Sequence, residues 1–362
     1  MAHCDENVKV NLCEMSLKEM EDFFQFLGEP KYRGRQVFGW IYGGTLKKGN
    51  FRPGICSFDE MDNIPQALKK KLKEKATLGI LKPIKIQQSM TDGTRKYLFE
   101  LYDGNAIESV FMKYKFGNSI CVSSQAGCRM GCKFCASGIG GLKRNLNAWE
   151  IAGQITAAER DTGEKISHVV VMGTGEPFDN YQNVSNFIRI INDKNGMNIG
   201  MRNITVSTCG IIPMIEKFGD DFPQANLAIS LHATNEKMRS AIMPINNAFP
   251  MSQLLETCQR YSDKTSRRVT FEYTLVKGVN DGIEDAEDLA SRLKGMLCHV
   301  NLIPLNVVNE TGLNTTDHNS ALKFLRVLEQ RGIPSTIRRE LGDDIDAACG
   351  QLRLNTNRAI AK

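Results

Sequence analysis

Residues 121–135 read CVSSQAGCRMGCKFC, and three of the four cysteines, Cys128, Cys132 and Cys135, keep a CxxxCxxC spacing. On a buried helix, positions i, i+4 and i+7 would share one face, and free cysteines would pack there as small apolar residues. Glycines at 127, 131, 138, 140 and 141 argue against that helix. Each would cost about 1 kcal/mol relative to alanine in a helix interior, whereas a loop wrapped around an inorganic centre accepts them. Three thiolates do not close a structural zinc site, which takes four ligands, and no histidine stands nearby to complete one. Thiolates do hold iron–sulfur clusters. A [4Fe-4S] cluster on Cys128, Cys132 and Cys135 would leave one iron open to a small molecule.

The loop follows an apolar run, NSICVSS (118–124), which is the first of six. HVVVMG (168–173), NITVST (203–208), NLAISLH (226–232), VTFEYTLV (269–276) and HVNLIPLN (299–306) come after it. Helical patterns lie near 148–160, 181–193, 211–218, 251–263, 283–295 and 318–331. Strands alternating with helices make right-handed βαβ units, so the expected fold is α/β, a partial (βα)6 barrel around a parallel sheet. The cysteine loop, GTGE (173–176), Ser207, Ser230, His232 and Asn306 all fall at strand carboxyl ends. That edge is where ligands bind in parallel α/β folds.

Upstream the character changes. SLKEMEDFFQFLG opens with a capping-box pair, Ser16 and Glu19, and predicts an amphipathic helix. Lys69, Lys70, Lys71, Lys73, Lys75, Lys82 and Lys85 crowd one segment, which reads either as a solvated face or as an RNA phosphate contact. TRKYLFELY and NAIESVFMKY around Asp103-Gly104 predict a β-hairpin. The expected division is a small, mainly helical N-terminal accessory domain over 1–90, of RNA-binding type, and a domain over 91–362 carrying the hairpin, the barrel and a C-terminal loop.

Composition sets outer bounds. The chain has 362 residues, 41% hydrophobic and 24% charged, with a formal charge of +5. A mildly basic balance permits a nucleic-acid partner without requiring one. The start MAHCDENVKVNLCEM has neither a basic n-region nor an apolar h-region, and no apolar run reaches eighteen residues. A cytoplasmic protein without membrane association is expected. Eleven cysteines in a chain of this length favour metal binding or catalysis over disulfides. Cys4, Cys13, Cys56, Cys258 and Cys298 suggest no role, Cys209 reads as packing, and the histidines other than His232 form no metal pattern.

CVSSQAGCRMGCKFCAS, GGLKRNL, MGTGEPFDN, NITVSTCGIIP, ISLHA, MPIN, HVNLIPLN and DIDAACGQL, in that order, resemble the RlmN-type dual-specificity adenine-C2 RNA methyltransferases of the radical S-adenosylmethionine (SAM) superfamily. The resemblance covers nearly the whole chain and is strongest from Glu108 to Leu352. It implies a radical SAM barrel, a [4Fe-4S] cluster on Cys128, Cys132 and Cys135, and a SAM pocket formed by Gly175, Glu176, Ser207, Ser230, Leu231, His232 and Asn306. It also implies methylation of C2 of one adenosine in the peptidyl-transferase region of 23S rRNA and of adenosine 37 in some tRNAs, with two SAM molecules used per methylation. Cys349 would become S-methylcysteine, Cys121 would resolve the RNA adduct through a transient disulfide with Cys349, and Glu108 would accept the C2 proton. The partners implied are 23S rRNA, tRNA and an electron donor such as flavodoxin or ferredoxin, with the protein a monomer.

The residues alone leave some of these roles open. Cys349, in ELGDDIDAACGQLR, reads either as inert packing or as a thiol on an accessible loop beside four acidic residues. Glu108 reads either as an exposed edge-strand glutamate or, by period two with Ala106, Val110 and Met112, as a carboxyl in an apolar setting. Two alternatives stand beside C2 methylation. One is methylation of C8 of the same adenosine, as in related antibiotic-resistance enzymes, from which GEPFDN and HVNLIPLN depart. The other is a non-enzymatic iron–sulfur protein that binds RNA.

Overall fold

Six predicted strands become part of one continuous ten-stranded sheet in the computed structural model, which describes residues 9–45, 51–306, 309–339, 341–348 and 350–352. The strands are β1 (Pro83–Gln88), β2 (Arg95–Glu100), β3 (Ala106–Tyr114), β4 (Gly117–Cys121), β5 (Ile166–Val171), β6 (Ile204–Thr208), β7 (Asn226–Ser230), β8 (Val269–Leu275), β9 (Cys298–Pro304) and β10 (Ser335–Ile337). Each pairs with its neighbour in sequence, so strand order equals chain order. From β4 to β10 all pairs are parallel, and β1 to β4 are antiparallel.

Two strands went unread. β10 is only three residues long, and β1 has an exposed face that breaks the apolar signature of a strand. The hairpin of β2 and β3 is therefore interior to the sheet rather than attached to it.

Helices supply the crossovers: α4 (Ala148–Thr162), α5 (Tyr181–Asn192), α6 (Ile212–Asp221), α7 (Glu236–Ile242) with α8 (Met251–Thr265), α9 (Ile283–Leu293) and α10 (His318–Gln330). All but the short α7 lie where 3.6-residue periodicity predicted them. Asn147 N–H donates to Glu150 at 2.9 Å at the start of α4, and Gly163 ends that helix at φ 68°. Buried Ile, Leu, Val and Phe of strands and helices form one core.

That core continues into α1 (Leu17–Phe26), α2 (Lys31–Tyr42) and α3 (Gln66–Lys75), which precede the sheet. The capping box is present: Ser16 N–H donates to Glu19 at 2.8 Å and Glu19 N–H to Ser16 Oγ at 3.3 Å. Several lysines of the basic segment hold this region together. Lys69, 5% exposed, donates to the Asp59 carbonyl at 3.1 Å, Lys73 pairs with Asp59 at 2.7 Å, and Lys71 lies 3.6 Å from Glu29. Lys70, Lys75, Lys82 and Lys85 are exposed.

One buried acid on α4 gives the fold a pH dependence. Glu159 Oε1 accepts Ile166 N–H at 3.0 Å, while Oε2 is buried without a hydrogen-bond partner among the described residues. Burial pushes its carboxyl up to about 8, from an ordinary 4.5. Between those values the folded chain keeps a proton that the unfolded chain has lost, so stability falls as pH rises through the window. Thermal melts at about pH 5 and about pH 8 should show a larger drop for the wild type than for Glu159→Gln. Equal drops would remove Glu159 as the cause.

Candidate active site

The carboxyl edge of the parallel strands opens on a cavity of about 930 Å³, its mouth included. Cys128, Cys132 and Cys135 form one side of it, and Gly175, Glu176, Ser207, Ser230, His232 and Asn306 contribute from the ends of successive strands. Leu231 is the exception among the expected pocket residues: its side chain is 1% exposed and belongs to the main core.

Glu176 is fully enclosed. Its Oε1 accepts Phe178 N–H at 3.0 Å and its Oε2 accepts Cys209 N–H at 2.8 Å. Burial raises its pKa, and these bonds oppose the rise. Lone pairs remain for an ammonium group. Gly175 takes φ 115°, and a Cβ there would stand 2.7 Å from Gln125 Cβ and 2.8 Å from Gln125 N. A glycine is needed because the turn crosses Gln125, beyond the end of β4, at contact distance.

His232 uses Nδ1 to accept Thr274 N–H at 2.9 Å, which puts its proton on Nε2. Its ring meets Phe134 edge-on at 4.7 Å. Burial, then the charge of Arg239, push its pKa down to about 3, so the imidazole is neutral at ordinary pH.

Two residues expected in the site, Glu108 on β3 and Cys121 on β4, stand apart from the residues that border this cavity. Glu108 is 5% exposed on an interior strand, which removes the edge-strand reading. Its surroundings are not wholly apolar, because Lys96 on β2 brings Nζ to 3.8 Å from Oε1. Cys121 stands opposite Val110 and packs with Val110, Met112, Ala347 and Leu352. Cys349 lies outside the described residues, but both its flanks are tied to the site. Lys96 Nζ donates to the Asp346 carbonyl at 3.0 Å, Ala136 N–H to the Gly350 carbonyl at 2.8 Å, and Ser137 Oγ to the Leu352 carbonyl at 3.0 Å.

Comparison with known proteins finds relatives along most of the chain. A model of the radical SAM superfamily matches residues 122–293, and one described as the ribosomal RNA large subunit methyltransferase N-terminal domain matches residues 10–78. A probable dual-specificity RNA methyltransferase RlmN of Thermoanaerobacter sp. is 52% identical over 343 residues, 95% of this chain and 97% of the relative. The protein of that name in Bacillus cereus is 48% identical over 351 residues, 96% and 94% of the two chains.

The chain belongs to the RlmN family. A crystal structure of a radical SAM methyltransferase from Sphaerobacter thermophilus superposes with a TM-score of 0.89 at 42% identity, covering 95% of this chain and 99% of that one. The fold is thus the radical SAM methyltransferase α/β fold. RlmN membership implies a [4Fe-4S] cluster and SAM, and the donor set fits them. Among the described residues no three Cys, His, Asp or Glu side chains converge as a single metal ion requires, yet three cysteines border one cavity. Thiolates are the donors that hold iron–sulfur clusters, so these three cysteines would hold one.

Sequence reasoning did not place four residues in or against the wall of this cavity. Cys209 borders the cavity as well as packing with Ala233, Ile242 and Met243. Glu272 of β8 is buried in the wall, its pKa raised by burial against the charge of Arg338 and a 2.9 Å bond from Asn301. Arg338 follows β10 and borders the same cavity. Each is a single polar residue in or beside a strand, without spacing to mark it.

The fourth is Arg239 of α7, 0% exposed. It donates to the carbonyls of Cys209 (2.6 Å), Ser230 (3.2 Å) and Leu231 (3.3 Å) and to Asn246 Oδ1 (3.0 Å). It thereby fixes the ends of β6 and β7 where Ser207 and Ser230 meet the cavity. Arg239→Met would strand several buried acceptors, each worth about 1–3 kcal/mol. Chemical denaturation should show a loss of at least about 3 kcal/mol, and SAM titration a weaker affinity.

Proposed function

We propose that this chain methylates C2 of an adenosine in the peptidyl-transferase region of 23S rRNA and of adenosine 37 in some tRNAs. The reading rests on RlmN membership. The structural observation that supports it best is the attachment of both flanks of Cys349 to the cysteine loop and to β2, against the strand that carries Cys121. Adenine C2 is electron-poor and will not attack the methyl group of SAM as an amine would, so a radical route is required.

When bound, the cluster and SAM supply one electron and a carbon-centred radical. The chain's own residues do the rest. Cys128, Cys132 and Cys135 hold the cluster. Glu176 accepts the ammonium of SAM, and Gly175, Ser207, Ser230, the Leu231 main chain, His232 and Asn306 orient the remainder. Cys349 takes a methyl group from a first SAM and delivers that carbon to C2 after a second is consumed. Glu108 accepts the C2 proton. The Cys121 thiolate attacks the Cys349 sulfur, forming a disulfide as the methylated base departs.

The helical region of α1–α3 that precedes the sheet helps grip RNA, with Lys70, Lys75 and Lys82 exposed for phosphate contact, whereas β1, within the expected 1–90 domain, belongs to the sheet. The base reaches the cavity unstacked from its neighbours. A flavodoxin- or ferredoxin-like protein delivers the electrons to the protein, a cytoplasmic monomer.

Transfer of labelled methyl from SAM to RNA tests this reading. Cys349→Ala should transfer none, and Cys121→Ala should accumulate a covalent RNA adduct on Cys349. Equal activity in wild type and both variants would overturn the two-cysteine route. Mass spectrometry of the nucleosides should find 2-methyladenosine, and 8-methyladenosine alone would reverse the choice of carbon. Glu108→Gln should lower turnover by about 10²- to 10⁴-fold, the usual contribution of a general base.

A further inference from the structure

Lys96 is the one cation on β2 whose side chain is buried and that touches both the proposed base and the loop leading to Cys349. It is 7% exposed. Its Nζ stands 3.8 Å from Glu108 Oε1 and donates to the Asp346 carbonyl at 3.0 Å. The register explains the meeting. Lys96 pairs with Val110, so it projects from the same face of the sheet as Glu108, two residues away on β3. A buried ammonium is costly unless charge and hydrogen-bond partners meet it, and here the Glu108 carboxyl group and the Asp346 carbonyl do so.

The loop it touches is held at two further points. Gly342 N–H donates to Asp92 at 2.9 Å, and Asp344 accepts Met90 N–H at 3.0 Å, both in the turn between β1 and β2. Asp346 takes a left-handed conformation at φ 49°, which the neighbouring contacts must sustain. The hairpin thus carries the proposed base on one strand and a tether for the catalytic loop on the next.

We propose that Lys96 is a positioning residue for methyl transfer, serving as the charge partner that aims Glu108 and as the tether that fixes the start of the Cys349 loop. The inference rests on the reading of Glu108 as the proton acceptor. Lys96 gives up no proton in this role: the C2 proton passes to Glu108, and the ammonium stays bonded to the Asp346 carbonyl. Charge and hydrogen bonding can therefore be separated by substitution. Lys96→Arg keeps both, Lys96→Gln keeps a donor without charge, and Lys96→Met removes both while filling the same space.

The test uses the full chain in two measurements. Hydrogen exchange of the 343–348 amides, without SAM or RNA, should be faster in Lys96→Met and close to wild type in Lys96→Arg. With reconstituted enzyme, adenosine methylation should fall about 100-fold in Lys96→Met and Lys96→Gln and stay within about tenfold in Lys96→Arg, on the scale of general-base contributions. Wild-type exchange and turnover in Lys96→Met would overturn the proposal. Should Lys96→Met fail to fold, equal turnover of Lys96→Gln and Lys96→Arg would overturn it. Glu108→Gln run in parallel separates the two readings. Full activity there would remove the proton-acceptor role itself, whereas an inactive Glu108→Gln beside a fully active Lys96→Met would remove only the role of Lys96.

Discussion

Where β4 ends, a fully buried glutamine replaces the sheet as the organiser of the chain. The Gln125 amide accepts Glu176 N–H at 2.8 Å and donates to Asn145 at 2.8 Å and Asp179 at 3.0 Å. One planar group thereby joins the two ends of the cysteine loop to the turn that carries Gly175 and Glu176. Ser123 extends the joint, donating to the Glu108 carbonyl at 2.6 Å and accepting Thr174 N–H at 2.9 Å. Main-chain groups beyond the last ladder bond must find partners or lose the free energy of desolvation. Buried side chains provide those partners here, and so the positions of the cysteines, Glu176 and Glu108 are mutually fixed.

The residues proposed for the reaction fall on two different parts of one sheet. The parallel strands present the cavity at their carboxyl ends, with Arg239 holding carbonyls at the ends of β6 and β7. The antiparallel strands hold the residues assigned to the base and to resolution, and they anchor the loop containing Cys349. An antiparallel extension suits this second task. β3 runs opposite to β4, so Glu108 and Ala106 extend past Cys121 toward the same edge as the cysteine loop.

Charge is used internally more than the composition suggests. Lys69, Lys71, Lys73 and Lys96 all answer acceptors within the chain, and Arg144 is held by Asp103 and by the fully buried Glu150 at 2.7 Å. A basic stretch that reads either as a solvated face or as an RNA phosphate contact is thus divided between structural tethers and exposed cations. Counting lysines could not separate them, because burial depends on what α1 and the 58–60 turn bring opposite.

The sequence by itself determined the alternation of strands and helices, the capping box at Ser16, the hairpin at Asp103-Gly104 and the assembly of Cys128, Cys132, Cys135, Glu176, Ser207, Ser230, His232 and Asn306 at one edge. These follow from local periodicity and from the rule that parallel strand ends share a face. Tertiary structure alone decided that β3 is interior, that Lys96 faces Glu108, that Arg239 caps strand ends and that the flanks of Cys349 meet β2 and the cysteine loop. Each of those depends on register or on contacts between residues far apart in the chain. A side chain's own neighbours in sequence carry no record of which strand will lie beside it.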